Sequence, residues 1–302
     1  MNTSAADTDG KDLSGTTNPS DGSRIAELRP GSEVDAPFAC SRKDRLTARS
    51  GSPYLALELR DRSGSIPARA FRDADFLAGR FERGDIVRVK GRVERFRDEL
   101  QIEVDSIERA DVDPAGFLPV AYRDVEELDG FLEHLGREVH EPGLRALLAA
   151  FLDDPAFRAA LRRAPCTRGG HHAYLGGLLE HTVAVATLAL ETCTLHPRLN
   201  SDVLLTAAIL HDIGKTREFE LGADISLSDE GEMLGHVTLG HGIVMERARA
   251  VGVDREQLLA VCHCILSHHG PNPRFRSAEA LALYRINAVD AAVKGALEHG
   301  LP

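Results

Sequence analysis

Apolar and polar residues alternate between residues 24 and 110, with the period expected of strands that bury one face. Turn signals at 62–64, 83–85 and 97–99 separate the alternating segments. Several short strands at this spacing predict a small closed β-barrel rather than a strand–helix–strand unit. The predicted strands cover residues 53–61, 64–71, 85–96 and 100–109.

The apolar period becomes helical after Pro119. Asp124 and Glu127 form a capping-box pattern, and Pro142 and Pro155 stand at permitted helix starts. A hairpin or loop is predicted between residues 216 and 231. The fold class is therefore α+β with two domains, a β-barrel followed by an all-α helical bundle. Longer helices are predicted over roughly residues 173–195, 201–213, 232–250, 254–267 and 277–298.

Length and composition limit the class of protein. A chain of 302 residues, 43% of them hydrophobic, suffices for two domains. Residues 1–23 are polar and lack the regions of a secretory signal, so we predict a disordered tail. No apolar run approaches the ~20 residues of a membrane span, and the five cysteines form no even framework. We therefore expect a cytoplasmic protein with no membrane partner.

Charge is unevenly distributed along the chain. The net charge of −11 argues against nonspecific nucleic-acid binding by the chain as a whole. Residues 24–110, however, hold 18 basic and 16 acidic residues, and the remainder carries the negative charge. The predicted barrel is thus the part that suits a phosphate backbone, whereas the acidic helical part suits cations.

Histidines are concentrated in the helical part, with ten of the thirteen between residues 171 and 269. His211 and Asp212 end the apolar segment LLTAAILHDIGK. Neighbouring residues do not share a helix face, so the imidazole can bind one metal ion while the carboxylate bridges to a second. A carboxylate buried beneath apolar turns is costly unless a cation or a partner offsets it. An HD dipeptide alone is weakly specific, so further ligands are needed.

Further imidazoles and a carboxylate occur on separate predicted helices. His181 follows Gly177, whose missing side chain allows another backbone to approach closely. Each such residue alone is compatible with a packed core position, but together they suit one or two ions of the Mn, Fe, Co or Zn class. Cys262 and Cys264 point to different sides of a helix and are interpreted as core residues. The other candidate ligands are His236, His268, His269 and Asp290.

The order H…HD…H…HH…D resembles the HD superfamily of metal-dependent phosphohydrolases, and more closely the YhaM-like 3′→5′ exoribonucleases. In the front half, GSPYLALELRDRSGSIPARAF looks like the OB-fold segment of that family. The most specific stretches are HHAYLGGLLEHT (171–182), ILHDIGK (209–215), LGH (234–236) and LSHHG (266–270).

The resemblance implies an OB-fold nucleic-acid-binding domain over 24–110, a helical linker region over 111–164 and an HD domain over 165–302. It also implies two divalent ions, with Mn expected and Co, Fe or Zn as alternatives. These ions lower the pKa of a water for in-line attack on the terminal phosphodiester. Asp212 is the expected shared ligand. The ligands implied for the first ion are His181, His211, Asp212 and the acid of the final helix, and those for the second are Asp212, His236, His268 and His269.

Three residues beside the implied ligands have two interpretations each. Lys215 either neutralises phosphate charge or is a solvated lysine at a helix end. His171 and His172 either contact the nucleotide or cap a loop. Lys215, Asp212 and His269 form the set predicted to be catalytic.

One departure from the family pattern lies in the last helix. Where relatives usually carry the first acid of an I-D-x-x-D run, this chain has Asn287, and it retains Asp290. An amide oxygen coordinates metals weakly and brings no charge. Either Asp290 replaces the missing acid or one metal site is weakened, and both residues are kept among the predicted ligands. We expect a working centre.

OB-folds bind single strands by stacking bases on aromatic side chains and tracking phosphates with basic ones. The predicted platform consists of Tyr54, Phe71 and Phe96, with Arg69 and Arg92 nearby. The alternative is that these aromatic residues belong to the barrel core.

The leading functional prediction is a metal-dependent exonuclease that converts single-stranded RNA or DNA to nucleoside 5′-monophosphates. Two alternatives stay open. One is an HD phosphohydrolase of small or cyclic nucleotides, and the other is a nucleic-acid-binding protein with a degenerate metal site. A homo-oligomer is also expected.

Overall fold

The front part of the chain forms a five-stranded closed barrel in the computed structural model, which describes residues 24–48, 50–270 and 274–301. The tail predicted over residues 1–23 lies outside the described residues. The four predicted strands are confirmed within a residue or two of their ends, and a fifth precedes them. The strands are β1 (Glu33–Thr47), β2 (Pro53–Asp61), β3 (Gly64–Ala70), β4 (Ile86–Phe96) and β5 (Glu99–Arg109).

β1 closes the barrel because it is long enough to pair along both of its halves. Its first half pairs with β4 and its second half with β2, and β3 and β5 pair in parallel to complete the ring. The register shifts between Cys40 and Arg42, where the strand bends. The sequence pattern did not predict this strand. Its apolar alternation is broken at the bend, and it contains Pro37 as well as a charged second half.

Helices make up most of the remaining chain, and the predicted α+β class is confirmed. The hairpin predicted between 216 and 231 is present as β6 (Phe219–Leu221) and β7 (Ile225–Leu227). The helices are α1 (Ala74–Ala78), α2 (Val125–Arg137), α3 (Pro142–Leu152), α4 (Pro155–Arg163), α5 (Gly177–Leu195), α6 (Ser201–Leu210), α7 (Lys215–Glu218), α8 (Asp229–Val251), α9 (Arg255–Ser267) and α10 (Ala278–His299).

Local signals account for several helix starts. Asp124 caps α2, its carboxylate accepting a hydrogen bond from the amide of Glu127. The side chain of Glu127 pairs with Arg123. Of the two hydrogen bonds of the predicted capping box, the one that Asp124 accepts is therefore present. Pro142 and Pro155 occupy the first positions of α3 and α4, as predicted, because a proline there gives up no intrahelical hydrogen bond.

One hydrophobic core holds the helical part together, and α2, α3 and α4 contribute to it alongside the later helices. Leu132 and Leu147 from this first segment are fully buried with Leu178 and Val185 of α5. By length and composition alone α5 is apolar enough to cross a membrane. Because 56% of its apolar window is buried inside the protein, α5 is a core helix of this fold.

The β6–β7 hairpin docks on the barrel. Nη2 of Arg60, on β2, donates to the carbonyl of Ala223 at 2.6 Å and pairs with the carboxylate of Asp224 at 2.8 Å. Ala223 is fully buried in a small apolar cluster with Ile86 and Phe117. The hairpin thereby connects the barrel with the helices on either side of it.

Candidate metal centre and nucleic-acid face

Two glycines allow the histidine-bearing segments to meet around Asp212, which lies in the turn between α6 and α7. A Cβ at Gly214 would overlap the carbonyl oxygen of His236, so the glycine permits α8 to approach this turn. A Cβ at Gly177 would overlap the carbonyl of His172, which confirms the close backbone approach predicted there. The HDIGK and GGLLEHT segments thus have a steric reason for their glycines.

One oxygen of Asp212 faces two imidazoles. Oδ2 lies 3.4 Å from Nε2 of His181 and 3.4 Å from Nε2 of His211. The two nitrogens are 3.2 Å apart, and all three side chains are almost completely buried. We call His181, His211 and Asp212 the first ligand group, because the three atoms are close enough to bind one ion together.

The other oxygen of Asp212 faces a second set of imidazoles. Oδ1 lies 3.3 Å from Nε2 of His268 and 3.5 Å from Nε2 of His236. Nε2 of His236 is in turn 2.8 Å from Nε2 of His269. These four residues form the second ligand group. The structure thus brings six predicted ligands together, with Asp212 shared between the groups.

Hydrogen bonds on the far side of two rings decide which nitrogen faces the centre. Nδ1 of His211 donates to the carbonyl of Ala208 at 2.8 Å, and Nδ1 of His268 donates to that of Ile265 at 2.6 Å. Nε2 of each ring therefore presents a lone pair. Nε2 of His268 and Oδ1 of Asp212 are buried and have no hydrogen-bond partner within the described residues. Two facing acceptors repel unless a cation lies between them, so the donor set fits divalent metal ions.

Two carboxylates hold ligand rings from behind. Oδ2 of Asp290 lies 2.6 Å from Nδ1 of His181, and Oε1 of Glu218 accepts from Nδ1 of His236 at 2.9 Å. Such partners fix the tautomer and orientation of a ligating imidazole. Asp290 was predicted to be a ligand. Its carboxylate lies behind the His181 ring, on the nitrogen opposite the one that faces the first ligand group, and forms a further possible metal-binding group with His172 and His181. Direct ligation by Asp290 stays a prediction.

In the metal-free protein the first ligand group has distinct protonation states. Burial lowers the pKa of His211 to about 4, so this ring is neutral at neutral pH. Burial also opposes a charge on His181, but Cys166, Asp212 and Asp290 outweigh it and raise the pKa of that ring to about 10. A cation that binds here therefore replaces a proton on His181, and metal binding is coupled to proton release.

Lys215 is only 6% exposed, so the interpretation as a solvated helix-end lysine is wrong. Nζ donates to Oδ2 of Asp212 at 2.7 Å and to Sγ of Cys166 at 3.4 Å. Although burial opposes both charges, each group shifts the other: the pKa of Lys215 is raised, and that of Asp212 lies well below its ordinary value. In the metal-free protein Lys215 thus neutralises Asp212. A contact with phosphate stays a prediction.

The remaining predicted residues of this part lie next to the ligands. Nε2 of His172, a buried residue with a left-handed φ of 54°, is 3.1 Å from Oδ2 of Asp290. The amide nitrogen of Asn287 donates to the carbonyl of His268 at 3.5 Å. Asn287 therefore supports the backbone at the end of α9. Burial lowers the pKa of His171 to about 4.

Several polar residues around the centre were not predicted from the sequence. Tyr174 donates to Oε2 of Glu180 at 2.7 Å, and Lys294 donates to Oε1 at 2.8 Å. This network lies behind His172 and Asp290 on the opposite side from the ligand groups. No sequence pattern signals these roles, because each depends on which helices pack together. The missed residues are Cys166, Tyr174, Glu180, Glu218 and Lys294.

Aromatic side chains form a pair on the outer surface of the barrel. The rings of Tyr54, on β2, and Phe71, directly after β3, have centroids 5.4 Å apart. The guanidinium of Arg69 lies 5.6 Å from the Tyr54 centroid. Phe71 is 49% exposed and Phe96 is 51% exposed, so the interpretation as core residues is wrong for both. We call Tyr54, Arg69 and Phe71 the aromatic face.

The other two residues of the predicted platform lie on the β4–β5 side of the barrel. Phe96 ends β4, and the guanidinium of Arg97 lies over its ring, 5.3 Å from the centroid. Arg92 on the same strand is paired with Glu33 of β1. The charge of Arg92 is therefore already partly neutralised within the barrel, whereas Arg69 is bonded to the neutral Gln101 at 3.2 Å.

Two family models match the two parts of the chain. The HD domain model matches residues 178–292, and the model of the OB-fold nucleic acid binding domain matches residues 40–110. Among solved structures, the second OB-fold domain of replication protein A from Methanococcus maripaludis is 24% identical over 30% of this chain and 96% of its own, with a TM-score of 0.25. The barrel assignment rests on the family model and on the strand topology described above.

Curated relatives match along most of the chain. The 3′-5′ exoribonuclease YhaM of Oceanobacillus iheyensis is 31% identical over 278 residues, covering 88% of this chain and 86% of the relative. The protein of the same name from Shouchella clausii is 28% identical over 289 residues, covering 89% of each chain. Both matches span the barrel and the metal centre, and they confirm the resemblance drawn from the motifs. The chain belongs to the YhaM exoribonuclease family.

Proposed function

We propose that this chain is a metal-dependent 3′→5′ exoribonuclease that acts on single-stranded nucleic acid in the cytoplasm and releases nucleoside 5′-monophosphates. The observation that carries the proposal is the position of Asp212, whose two oxygens face two separate groups of buried imidazoles. The curated relatives are named 3′-5′ exoribonucleases, and their sequences align with this chain across both domains.

When bound, two divalent ions lower the pKa of a water and stabilise the charge on the attacking and leaving oxygens of an in-line displacement. The protein contributes the arrangement around them. Asp212 spans both positions, while Asp290 and Glu218 hold the rings of His181 and His236 in the ligating tautomer. Rings held in this way do not reorganise during the reaction.

The role of the barrel is to bind the single-stranded nucleic acid. Tyr54 and Phe71 present a tilted aromatic pair to solvent, with Arg69 alongside. Stacking on such rings is tolerant of sequence because every base has a π-face. The hairpin contact of Arg60 with Asp224 keeps this barrel attached to the helical part. Barrel and metal centre thus belong to one protein that retains the strand while its end is cleaved.

A labelled single strand tests the proposal. RNA carrying a 5′ label is incubated with the full chain and Mn²⁺, and also with Co²⁺, Fe²⁺ or Zn²⁺. The expected result is progressive shortening from the 3′ end, with nucleoside 5′-monophosphates as products and no shortening in EDTA. A parallel reaction with DNA of the same sequence measures the preference for ribose over deoxyribose. Absence of shortening with every metal overturns the proposal.

The matched control is Asp212→Asn, which keeps the shape of the side chain and removes the shared charge. Loss of activity in this variant assigns the cleavage to the centre rather than to a contaminating nuclease. A working centre is supported by the two ligand groups, which consist of histidines and the shared Asp212.

A further inference from the structure

A buried thiol lies against the first ligand group. Cys166 is 1% exposed, and its Sγ lies 4.0 Å from Oδ2 of Asp212 and 3.4 Å from Nζ of Lys215. The sulfur also lies within 4.8 Å of a ring nitrogen of His171 and one of His181. The thiol therefore reaches the same oxygen and the same imidazole as the first ligand group.

The backbone around Cys166 holds the sulfur in this position. The amide of Cys166 donates to the carbonyl of His172 at 3.0 Å. The hydroxyl of Thr167 donates to the carbonyl of His171 at 2.9 Å. Both bonds cross the loop that leads into α5, the helix of His181. The thiol and this ligand are thus attached to the same short, internally bonded segment.

The first ligand group is short of negative charge. Its one carboxylate, Asp212, is shared with the second group and already accepts a hydrogen bond from Lys215 at 2.7 Å. Asp290 is directed to the far side of His181, and Asn287 contributes no charge. The thiol of Cys166 is the remaining group near this position that gains a negative charge on losing a proton.

An independent observation shows that the carboxylate beside the sulfur needs a cation on its other side. Oδ1 of Asp212 and Nε2 of His268 are completely buried, face each other and have no hydrogen-bond partner in the described part of the chain. The sulfur of Cys166 approaches the other oxygen of this same carboxylate. A buried thiol beside a carboxylate that needs cations is in the position of an additional ligand.

We propose that Cys166 binds a metal ion as a thiolate beside the first ligand group, with His171 and His181 as the imidazoles within reach of its sulfur. On binding, the thiol proton passes to solvent, a sulfur–metal bond forms, and Lys215 stays protonated beside the sulfur. Thiolate favours Zn, Co or Fe over Mn, whereas the all-nitrogen-and-oxygen second group does not discriminate in this way. The proposal rests on the metal centre of the proposed function and adds that its two positions differ in metal preference.

Cobalt spectroscopy on the full-length protein tests it without an activity assay. The metal-free chain is titrated with Co²⁺ under reducing conditions, and the near-ultraviolet sulfur-to-cobalt charge-transfer band is recorded. The wild type is expected to develop this band. Cys166→Ala is expected to lack it and to bind one equivalent of Co²⁺ at least about tenfold more weakly, since even the loss of a partner behind a ligand costs that much.

Two further variants make the result decisive. Cys193→Ala removes another buried thiol, at the far end of the helix that carries His181, and is expected to keep the band. Cys166→Asp restores an anionic ligand without sulfur and is expected to recover affinity but not the band. Circular dichroism verifies that each variant is folded.

The possible outcomes separate this proposal from the metal centre itself. If the wild type binds Co²⁺ without the band, or if Cys166→Ala retains it, Cys166 is not a ligand and the metal centre stands. If the wild type binds no Co²⁺, the proposal is overturned together with the centre.

Discussion

Oδ1 of Asp212 lies 3.3 Å from Nε2 of His268, and neither atom has a hydrogen-bond partner among the described residues. On the other side of the carboxylate, Lys215 donates to Oδ2 at 2.7 Å. Asp212 is thus half neutralised by an ammonium group of the chain and half directed at a position that requires an external cation. We therefore expect the stability of the folded protein to depend on bound metal.

Lys215→Met is expected to destabilise the metal-free protein by about 3–5 kcal/mol, because it leaves Asp212 buried without its counter-charge. Metal ions supply that charge from the other side, so the loss should be much smaller in the metal-loaded protein. Urea unfolding with EDTA and with Mn²⁺ measures the difference. Arg158→Met breaks an ion pair with Asp129 in the helical core, and its effect should be the same in both conditions. Equal losses for Lys215→Met with and without metal would contradict this account.

Asp290→Asn is expected to weaken metal binding about 10- to 100-fold while leaving two ions bound at saturation, because the carboxylate orients His181 from behind. Glu218→Gln should behave in the same way through His236. Metal content by mass spectrometry and affinity by titration check both variants. A fall to one bound ion in Asp290→Asn at saturating metal would instead identify Asp290 as a ligand.

Phe71→Ala is expected to weaken the binding of single-stranded RNA by about 1–3 kcal/mol, the value of one stacked base. The side chain is half exposed, so the folded state should lose little stability. Fluorescence anisotropy with a labelled oligonucleotide measures the affinity. Phe76→Ala is the control, because this phenylalanine of α1 is 68% exposed and lies outside the aromatic face. Equal effects of the two changes would remove the special role of Tyr54 and Phe71.

Acid should weaken the contact between α4 and α8. Asp154 caps α4 and accepts from Arg247 at 2.7 Å, and this arginine and the capped amides lower the pKa of its carboxyl. The pKa of the Asp154 carboxyl is lower in the folded protein than in the unfolded chain, where it is about 3.9. The charged carboxylate therefore stabilises the folded state above that pH. This stabilisation is lost as the pH falls through the lower pKa of the folded protein.

Asp154→Asn keeps a capping side chain but should flatten the decline of unfolding free energy below about pH 4. Denaturant titrations at neutral and acidic pH compare the variant with Asp254→Asn. Asp254 caps α9 in the same way, without a basic side chain paired to it in the described residues. An unchanged acid slope in Asp154→Asn would show that Arg247 contributes nothing to this dependence.

The sequence predicts those parts of the fold that depend on local periodicity. The strands after residue 53 and the long helices each carry an uninterrupted pattern. β1 was missed because a strand that pairs with two partners changes its buried face at the bend. Pro37 and the charged residues in the second half of β1 give the sequence the composition of a loop. The charged residues are compatible with a strand because the solvent-facing side of a barrel need not be apolar.

The candidate ligands were predicted because imidazoles and carboxylates among apolar residues are chemically conspicuous. Their partners were not. Glu218 meets the centre where α8 packs closely against it at Gly231, and Cys166 meets it from the loop before α5. Such tertiary relations leave no periodic signal. Asp290 shows the converse. Its presence at the centre was predicted, but the residue pattern does not say whether its carboxylate binds an ion or orients the His181 ring.

The contact between Arg60 and the β6–β7 hairpin has a consequence for modular engineering. Glu218, which holds His236, immediately precedes β6 in the chain. Replacing the barrel alone would leave Asp224 without its cation and would loosen the segment that begins at Glu218. A transplant that includes the hairpin keeps both contacts. The exchangeable unit is therefore the barrel together with its hairpin, although more than one hundred residues separate them along the chain.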